Sequence, residues 1–238
     1  MLVREAMRAG VGLREAFATA AADPALVAAL VASGMVVHEV REEVLARAVD
    51  TVTPQGIAAI AARVEVSIAD AVAAAAAGPL ALVLVDVSDP GNAGTLLRAA
   101  EAAGAAAVIF CGTSVDPSNA KCVRASAGAL FHVPVASGPD PLSVVEQLRV
   151  AGVRTAATVV RDGTPYDAVD LTGPIALVLG SEAHGLSTEL AASVDEQLSI
   201  PMAGRSESLN VAMAGSILGF EALRQRRIVA EPIGDAPG

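Results

Sequence analysis

The chain has 238 residues, of which 53% are hydrophobic and 2% aromatic, and its formal net charge is -10. That length allows one large domain or two small ones with a sizeable buried core, and excludes a peptide-scale scaffold. The negative balance argues against a surface that adheres generally to nucleic acid, so any phosphate contact must be built locally from Lys and Arg, and the shortage of rings argues against base-stacking platforms.

The amino terminus scatters Arg4, Glu5, Arg8, Arg14 and Glu15 among apolar residues. It has neither the compact apolar centre nor the small-residue cleavage site of a secretory signal, so a cytoplasmic protein is expected. Residues 1–67 read as a small α+β domain with short helical stretches, a candidate strand "MVVHEV" and the turn "TVTPQG". The Ala-rich stretch 68–78 is expected to connect this domain to a larger one, and its composition favours helix over flexible linker. The longest apolar run, Ala71 to Val85, is interrupted by Gly78-Pro79 and is too short to span a bilayer, so no membrane association is expected.

From residue 79 to 228, short apolar runs alternate with helical patterns. "LALVLVDV" is followed by a helix from about Thr95 to Ala103, and "AAAVIFC" by one near Asn119 to Ala127. "FHVPVA" precedes a helix near Leu142 to Ala151, and "VRTAATVV", "PIALVLG" and "EQLSIPM" complete about six strands. Runs that are apolar at every position, separated by helices, predict a mostly parallel sheet with helices on both faces, an α/β domain. Residues 229–238, with Pro and Gly but no periodicity, are expected to be a disordered tail. Cys111 and Cys122 lie eleven positions apart with no CxxC and no nearby His, which predicts buried free thiols and no metal site.

In an open parallel sheet, ligands bind beyond the carboxyl ends of the strands, so the loops that follow strands are the candidates. The first contains Gly91, Asn92 and Gly94, with Arg98 one turn into the expected helix, placed to form a fork with a phosphate or carboxylate. No GxGxxG follows this strand or any other, which removes the usual dinucleotide-binding fingerprint. The second, "GSEAHGLS", sets Glu182 and His184 between Gly180 and Gly185. His184 invites a general-base reading, although a lone loop His is more often solvated. The third, "AGRSESLN", crowds Ser206, Glu207, Ser208 and Asn210 ahead of a helix built largely of Ala and Gly. Two stripes run along that helix: Leu209, Met213, Ile217 and Phe220, expected to face the core, and Ser208, Ala212, Ser216 and Gly219, small enough to admit a close neighbour.

"NAGTLLRAAEAAG", "LVLGSEAHGLS" and "IPMAGRSESLNVAMA", in this order, resemble the three motifs of the SpoU (TrmH-like) branch of the SPOUT RNA methyltransferases, which methylate a ribose 2'-hydroxyl with S-adenosylmethionine. The similarity spans about residues 79 to 227. The segment "VDTVTPQGIAAIAA" is similar to part of the small substrate-binding domain carried by many ribosomal RNA members. Those members begin with a further helix and strand before the position matching "VREAMRAG", so the sheet of this domain is expected to lack a strand. The resemblance implies a trefoil knot near the carboxyl terminus, S-adenosylmethionine as cofactor, no metal, and a homodimer.

By the same resemblance Asn92 and Arg98 face the acceptor ribose, Glu182 organises the site or assists proton removal, and Ser208 and Asn210 bond the acceptor or fix the loops. Cofactor contacts are expected from Leu179, Gly180, Gly185, Ile200, Met202, Ser208 and Leu209. RNA contacts are expected from Arg4, Arg8 and Arg14 in the first domain and from Lys121, Arg124 and Arg205 in the second, with ribosomal RNA favoured over tRNA. A catalytically silent RNA-binding relative and a tRNA-directed enzyme remain as alternatives. A small-molecule enzyme holding a phosphate on helix amino termini finds no supporting motif.

Overall fold

A computed structural model of the chain describes residues 2–49, 55–138, 140–181 and 184–230. The chain divides into two compact units, Met1–Val64 and Glu65–Gly238.

In the smaller unit, helix α1 (Leu2–Arg8), strand β1 (Leu13–Ala18), helix α2 (Pro24–Ala32), strand β2 (Val36–Glu39), helix α3 (Glu42–Ala48) and strand β3 (Ile57–Ala61) follow in order. The strands form a sheet in the order β2-β1-β3, with β1 parallel to β2 and antiparallel to β3. Ala16, Leu26 and Leu30 are its buried centre, with Val3, Met7, Val37, Ile57 and Ala59 packed around them. The candidate strand "MVVHEV" is β2, whereas β1 and β3 carry too weak an alternation to be read in advance. The turn "TVTPQG" falls mostly on residues 51–54, outside the described residues.

The larger unit opens with helix α4 (Ile68–Ala77), so the stretch expected to connect the domains is part of the larger domain's own packing. Ser67 caps it by accepting from Asp70 N–H, and Ala71, Val72 and Ala75 are buried in the unit's core. Then come β4 (Leu80–Val85), α5 (Pro90–Ala102), β5 (Ala107–Cys111), α6 (Ala120–Ala125), β6 (Val135–Gly138), α7 (Pro141–Val150), β7 (Arg154–Thr158), β8 (Thr164–Pro165), β9 (Ile175–Leu179), α8 (Thr188–Ser193), β10 (Glu196–Ser199) and α9 (Val211–Ala230). The seven strands form one parallel sheet in the order β6-β5-β4-β9-β7-β10-β8. Six of them match the expected runs. The seventh, β8, is only two residues long and has no apolar run to betray it.

All six residues of β4 and all five of β5 and of β9 are buried, as strands covered on both faces must be. Alternate residues Ala81, Val83, Val85, Ile109 and Val178 meet α4, α7 and α8. The opposite face meets α5 and α9, and α5 in turn packs against α6. Both thiols are buried and unpaired. Burial pushes the Cys111 thiol up to about 12 and the Cys122 thiol up to about 11, with nearby Asp carboxylates adding to each.

Two local departures from expectation matter for the site. Helix α5 starts at Pro90, five residues before the expected Thr95, because the Asp89 side chain accepts from Asn92 N–H at 2.8 Å and Pro90 presets the first turn. Arg98 therefore sits in the third turn and not the first. The stripe of α9 expected to face the core does not do so, whereas Ala212 and Gly219 of the small-residue stripe are buried as close approach requires. Met213 and Phe220 are 56% and 48% exposed, while Ala212, Gly215, Leu218, Gly219 and Ala222 face inward. A Cβ on Gly215 would collide with Leu96 and would lie 2.8 Å from Leu179. The space under α9 is too shallow for larger side chains. Residues 229 and 230, expected in the tail, belong to this helix, and the remainder of the tail lies outside the described residues.

Strand β10 lies between β7 and β8, and both pair with it in parallel at Leu198. Since residues 159–163 join β7 directly to β8, this segment crosses over β10. Gly163 sits at the crossing, where a Cβ would come within 2.8 Å of the Leu198 backbone and 2.9 Å of Ser199 N. Such a crossing is what a threaded carboxyl-terminal half requires.

Candidate active site

A cavity of about 350 Å³ opens at the carboxyl ends of the adjacent strands β9, β7 and β10. This is where an open parallel sheet brings its loops together, and it lies close to the point where connections leave in opposite directions, with β4 leading to β5 and β9 leading back across β7 to β10. The cavity floor and walls are apolar, from Leu198, Ile200, Leu209, Val211 and Ala214, and Ser181, His184, Glu207 and Ser208 supply polar groups.

The loop after β9 is shaped by two glycines. Gly185 adopts φ +65°, and its N–H donates to Ser181 O at 2.9 Å. A Cβ on Gly180 would lie 2.7 Å from Gly185 O and from Leu186 N, so the turn closes only over glycine. His184 N–H donates to Ser181 Oγ at 3.3 Å, and the ring is exposed at the cavity wall.

Asn210 joins the first and third loops. Its Oδ1 accepts from Ala212 N–H at 2.9 Å and Met213 N–H at 3.3 Å, capping α9, while its Nδ2 donates to Asn92 Oδ1 at 3.1 Å. One side chain thereby fixes the start of α9 and ties it to the first turn of α5.

Six of the seven expected cofactor residues line the cavity: Gly180, Gly185, Ile200, Met202, Ser208 and Leu209. Leu179 does not. It is fully buried beneath α9 against Gly215, because the strand's last side chain points into the core while the next residue turns toward the cavity. Gly94 is likewise a packing residue, with no room for a Cβ against Ala125 and with Cys122 O only 2.7 Å away. Arg98 is exposed on α5, and among the described residues no hydrogen bond or ion pair engages it. Glu182 lies outside the described residues.

Of the expected RNA-contacting cations, Arg4 pairs with Asp23 and Arg8 with Glu5 at 2.8 Å, and Arg14 is exposed at a register shift in β1. Lys121 approaches Asp89 at 3.8 Å, Arg124 is half-buried, and Arg205 is exposed in the loop after β10. Among the described residues no cluster of His, Cys, Asp and Glu has the form of a metal site, and no helix is long and apolar enough to cross a membrane.

Sequence reading missed Thr158, Val159 and Val160 at the end of β7, as well as Val211 and Ala214 on α9. The carboxyl-end rule would have selected the β7 residues had it been known that β7 lies between β9 and β10.

An α/β domain with a ligand cavity at the strand carboxyl ends, walled by the segments that follow β7, β9 and β10, defines a small-molecule-binding domain of enzyme type. A model described as the SpoU rRNA Methylase family matches residues 79–220, and one described as RNA 2'-O ribose methyltransferase substrate binding matches residues 1–67. The chain belongs to the SpoU rRNA methylase family. It is 35% identical over 189 residues, 79% of this chain and 73% of the relative, to the 23S rRNA (guanosine(2553)-2'-O)-methyltransferase RlmP of Bacillus subtilis. It superposes on the AdoMet-bound rRNA methyltransferase from Sinorhizobium meliloti with a TM-score of 0.82 at 33% identity, covering 94% of this chain and 84% of that one. The SpoU methyltransferase AviRb from Streptomyces viridochromogenes, in complex with AdoMet, gives a TM-score of 0.80 at 26% identity over 94% of this chain and 87% of that one.

Proposed function

We propose that this chain is an S-adenosylmethionine-dependent RNA methyltransferase acting on a ribose 2'-hydroxyl, with ribosomal RNA as its substrate. The observation that carries the reading is the Asn92–Asn210 bond, which draws two loops of the family pattern together beside the strand-end cavity. The cavity suits the cofactor. Its volume of about 350 Å³ lies within the usual range for such ligands, and apolar walls next to the backbone edges of Gly180 and Gly185 fit a buried purine that needs a few fixed donors and acceptors.

S-adenosylmethionine, when bound, supplies a methyl group already activated by its attachment to a sulfonium. The chain's residues therefore have to position the acceptor and manage its charge. Arg98, an exposed guanidinium on α5, holds the phosphate next to the acceptor ribose and stabilises the alkoxide that develops as the hydroxyl loses its proton. It does not itself take that proton, because a guanidinium offers only N–H donors and no acceptor. Glu182 is the group for proton removal in this scheme. Ser208, on the cavity wall, orients the acceptor, and Asn92 and Asn210 keep the two loops in register.

The reading includes a homodimer whose surface contains the outward stripe of α9, where Met213 and Phe220 flank the half-buried Ile217. Arg4, Arg8, Arg14, Lys121, Arg124 and Arg205 are the cations assigned to RNA outside the reacting centre, and the carboxyl-terminal threading over β10 belongs to the knot implied by the family.

The test is incubation of the protein with labelled S-adenosylmethionine and separated ribosomal and transfer RNA pools, followed by mapping of the blocked 2'-hydroxyl. Label in ribosomal RNA is expected, and failure to label any pool would overturn the reading. Arg98→Ala should lower methyl transfer by orders of magnitude with cofactor affinity nearly intact. Equal loss of both in a folded variant would remove the role given to Arg98.

A further inference from the structure

The segment that crosses β10 carries a cation for which the scheme above has no use. Val159 and Val160 line the cavity, and the next residue, Arg161, reaches Glu207 on the opposite loop, with Nη2 to Oε1 at 4.0 Å. Glu207 also lines the cavity. The two side chains are 75% and 85% exposed, so the pair is weak and exchanges readily with other charges.

The backbone just after Arg161 is anchored on β10, in contrast to the exposed side-chain tip. Asp162 is held at φ +62°, Gly163 is packed on the β10 backbone, and Ser199 Oγ–H donates to Gly163 O at 2.9 Å. A guanidinium that follows a cavity-lining residue, precedes an anchored turn and has an exchangeable tip thus stands at the cavity mouth. In a chain with a net charge of -10, a polyanion approaching that mouth also meets the Glu207 carboxylate. A cation within reach favours a phosphate beside the reacting ribose, whereas an unmasked carboxylate there opposes docking.

We infer that Arg161 contacts a phosphate of the acceptor RNA strand and that Glu207 holds it in reserve, the guanidinium leaving the carboxylate for the phosphate when RNA arrives. The inference rests on the methyltransferase reading and adds a residue that specifies how the acceptor strand lies across the cavity.

The two partners then have opposite effects on RNA binding, which a simple staple between loops would not produce. Using full-length protein, RNA affinity is measured without cofactor, over a range of salt concentrations, on an RNA that the wild type methylates. Arg161→Gln should weaken RNA binding by about tenfold and reduce the slope of log affinity against log salt by about 0.7 to 0.9, the contribution of one phosphate contact. Arg161→Lys should restore much of both, and S-adenosylmethionine affinity of the Arg161 variants should match the wild type. Glu207→Gln should tighten RNA binding by about two- to fivefold, because the competing carboxylate is gone. Equal and same-sign effects of Arg161→Gln and Glu207→Gln, an unchanged salt slope, or a parallel loss of cofactor affinity in Arg161→Gln would each overturn the inference. A wild type that methylates no RNA would instead bring down the reading on which it rests.

Discussion

The two sides of α9 carry opposite kinds of residue, and their arrangement runs against the usual rule that the larger apolar side chains face the core. Inward are Ala212, Gly215, Gly219 and Ala222 with the larger Val211 and Leu218, and outward are Met213 and Phe220 with Ile217 half-buried between the sides. The reason lies in what the helix packs on. Leu96 of α5 and Leu179 of β9 are fully buried and fill the space under Gly215, so α9 lies close only because its inner surface is nearly bare backbone. At Gly215 the contact comes from the neighbours' side chains, while Leu218 is the helix's own fully buried contribution.

The sharpest way to break this contrast is to give the inner side bulk. Gly215→Leu removes a helix-weakening glycine, a gain of about 1 kcal/mol, but it forces a branched side chain into Leu96 and Leu179. With both neighbours fully buried, overpacking should dominate and cost roughly 3 kcal/mol or more net, a fall in Tm of about 6 to 12 °C for a unit of this size. Denaturant unfolding of the purified variant measures it, and wild-type stability would mean that close approach is not what seats α9.

A second substitution sharpens the contrast at the helix's start, where Asn210 serves both α9 and the site. Asn210→Ala should lose the cap, about 1 kcal/mol, together with the link to Asn92. Asn210→Asp keeps a capping oxygen but puts an acceptor where Nδ2 donated to Asn92, so stability should stay within about 0.5 kcal/mol of wild type. Under the proposed function, methyl transfer should drop in both variants. Activity that follows stability alone, lost in the alanine variant and kept in the aspartate one, would reduce Asn210 to a helix cap.

The uneven legibility of the chain follows from the same physics. Strands β4, β5 and β9 are unmistakable because burial on both faces demands an apolar residue at every position, and "LALVLV", "AVIFC" and "IALVL" meet that demand. The cavity's loops are legible because they follow such strands, and six of seven expected cofactor residues line it. Strand order left no local trace, so β7 was not placed beside β9, and Val159, Val160 and Arg161 went unassigned. The sides of α9 are not legible because Gly and Ala weigh little on any hydrophobic pattern, while a small residue can be buried as completely as a leucine. The start of α5 is obscured because its Asp89-Pro90 cap lies in a stretch with the composition of a glycine-rich loop.

The smallest expected effect on folding comes from the outer side. Met213→Ser and Phe220→Ser remove side chains that are about half exposed, so each should change the stability of the isolated chain by no more than about 1 kcal/mol. Self-association should respond far more if these residues form the proposed dimer surface, because an apolar stripe excluded from water at an interface loses its driving force when made polar. Sedimentation velocity over a concentration series separates the two effects. A dimer in the wild type that dissociates in the doubly substituted chain, with unfolding nearly unchanged, would assign the inner side of α9 to folding and the outer side to assembly. A wild-type monomer at every concentration, or a double variant that dimerises as well as the wild type, would leave Met213 and Phe220 as exposed apolar residues with no part in assembly.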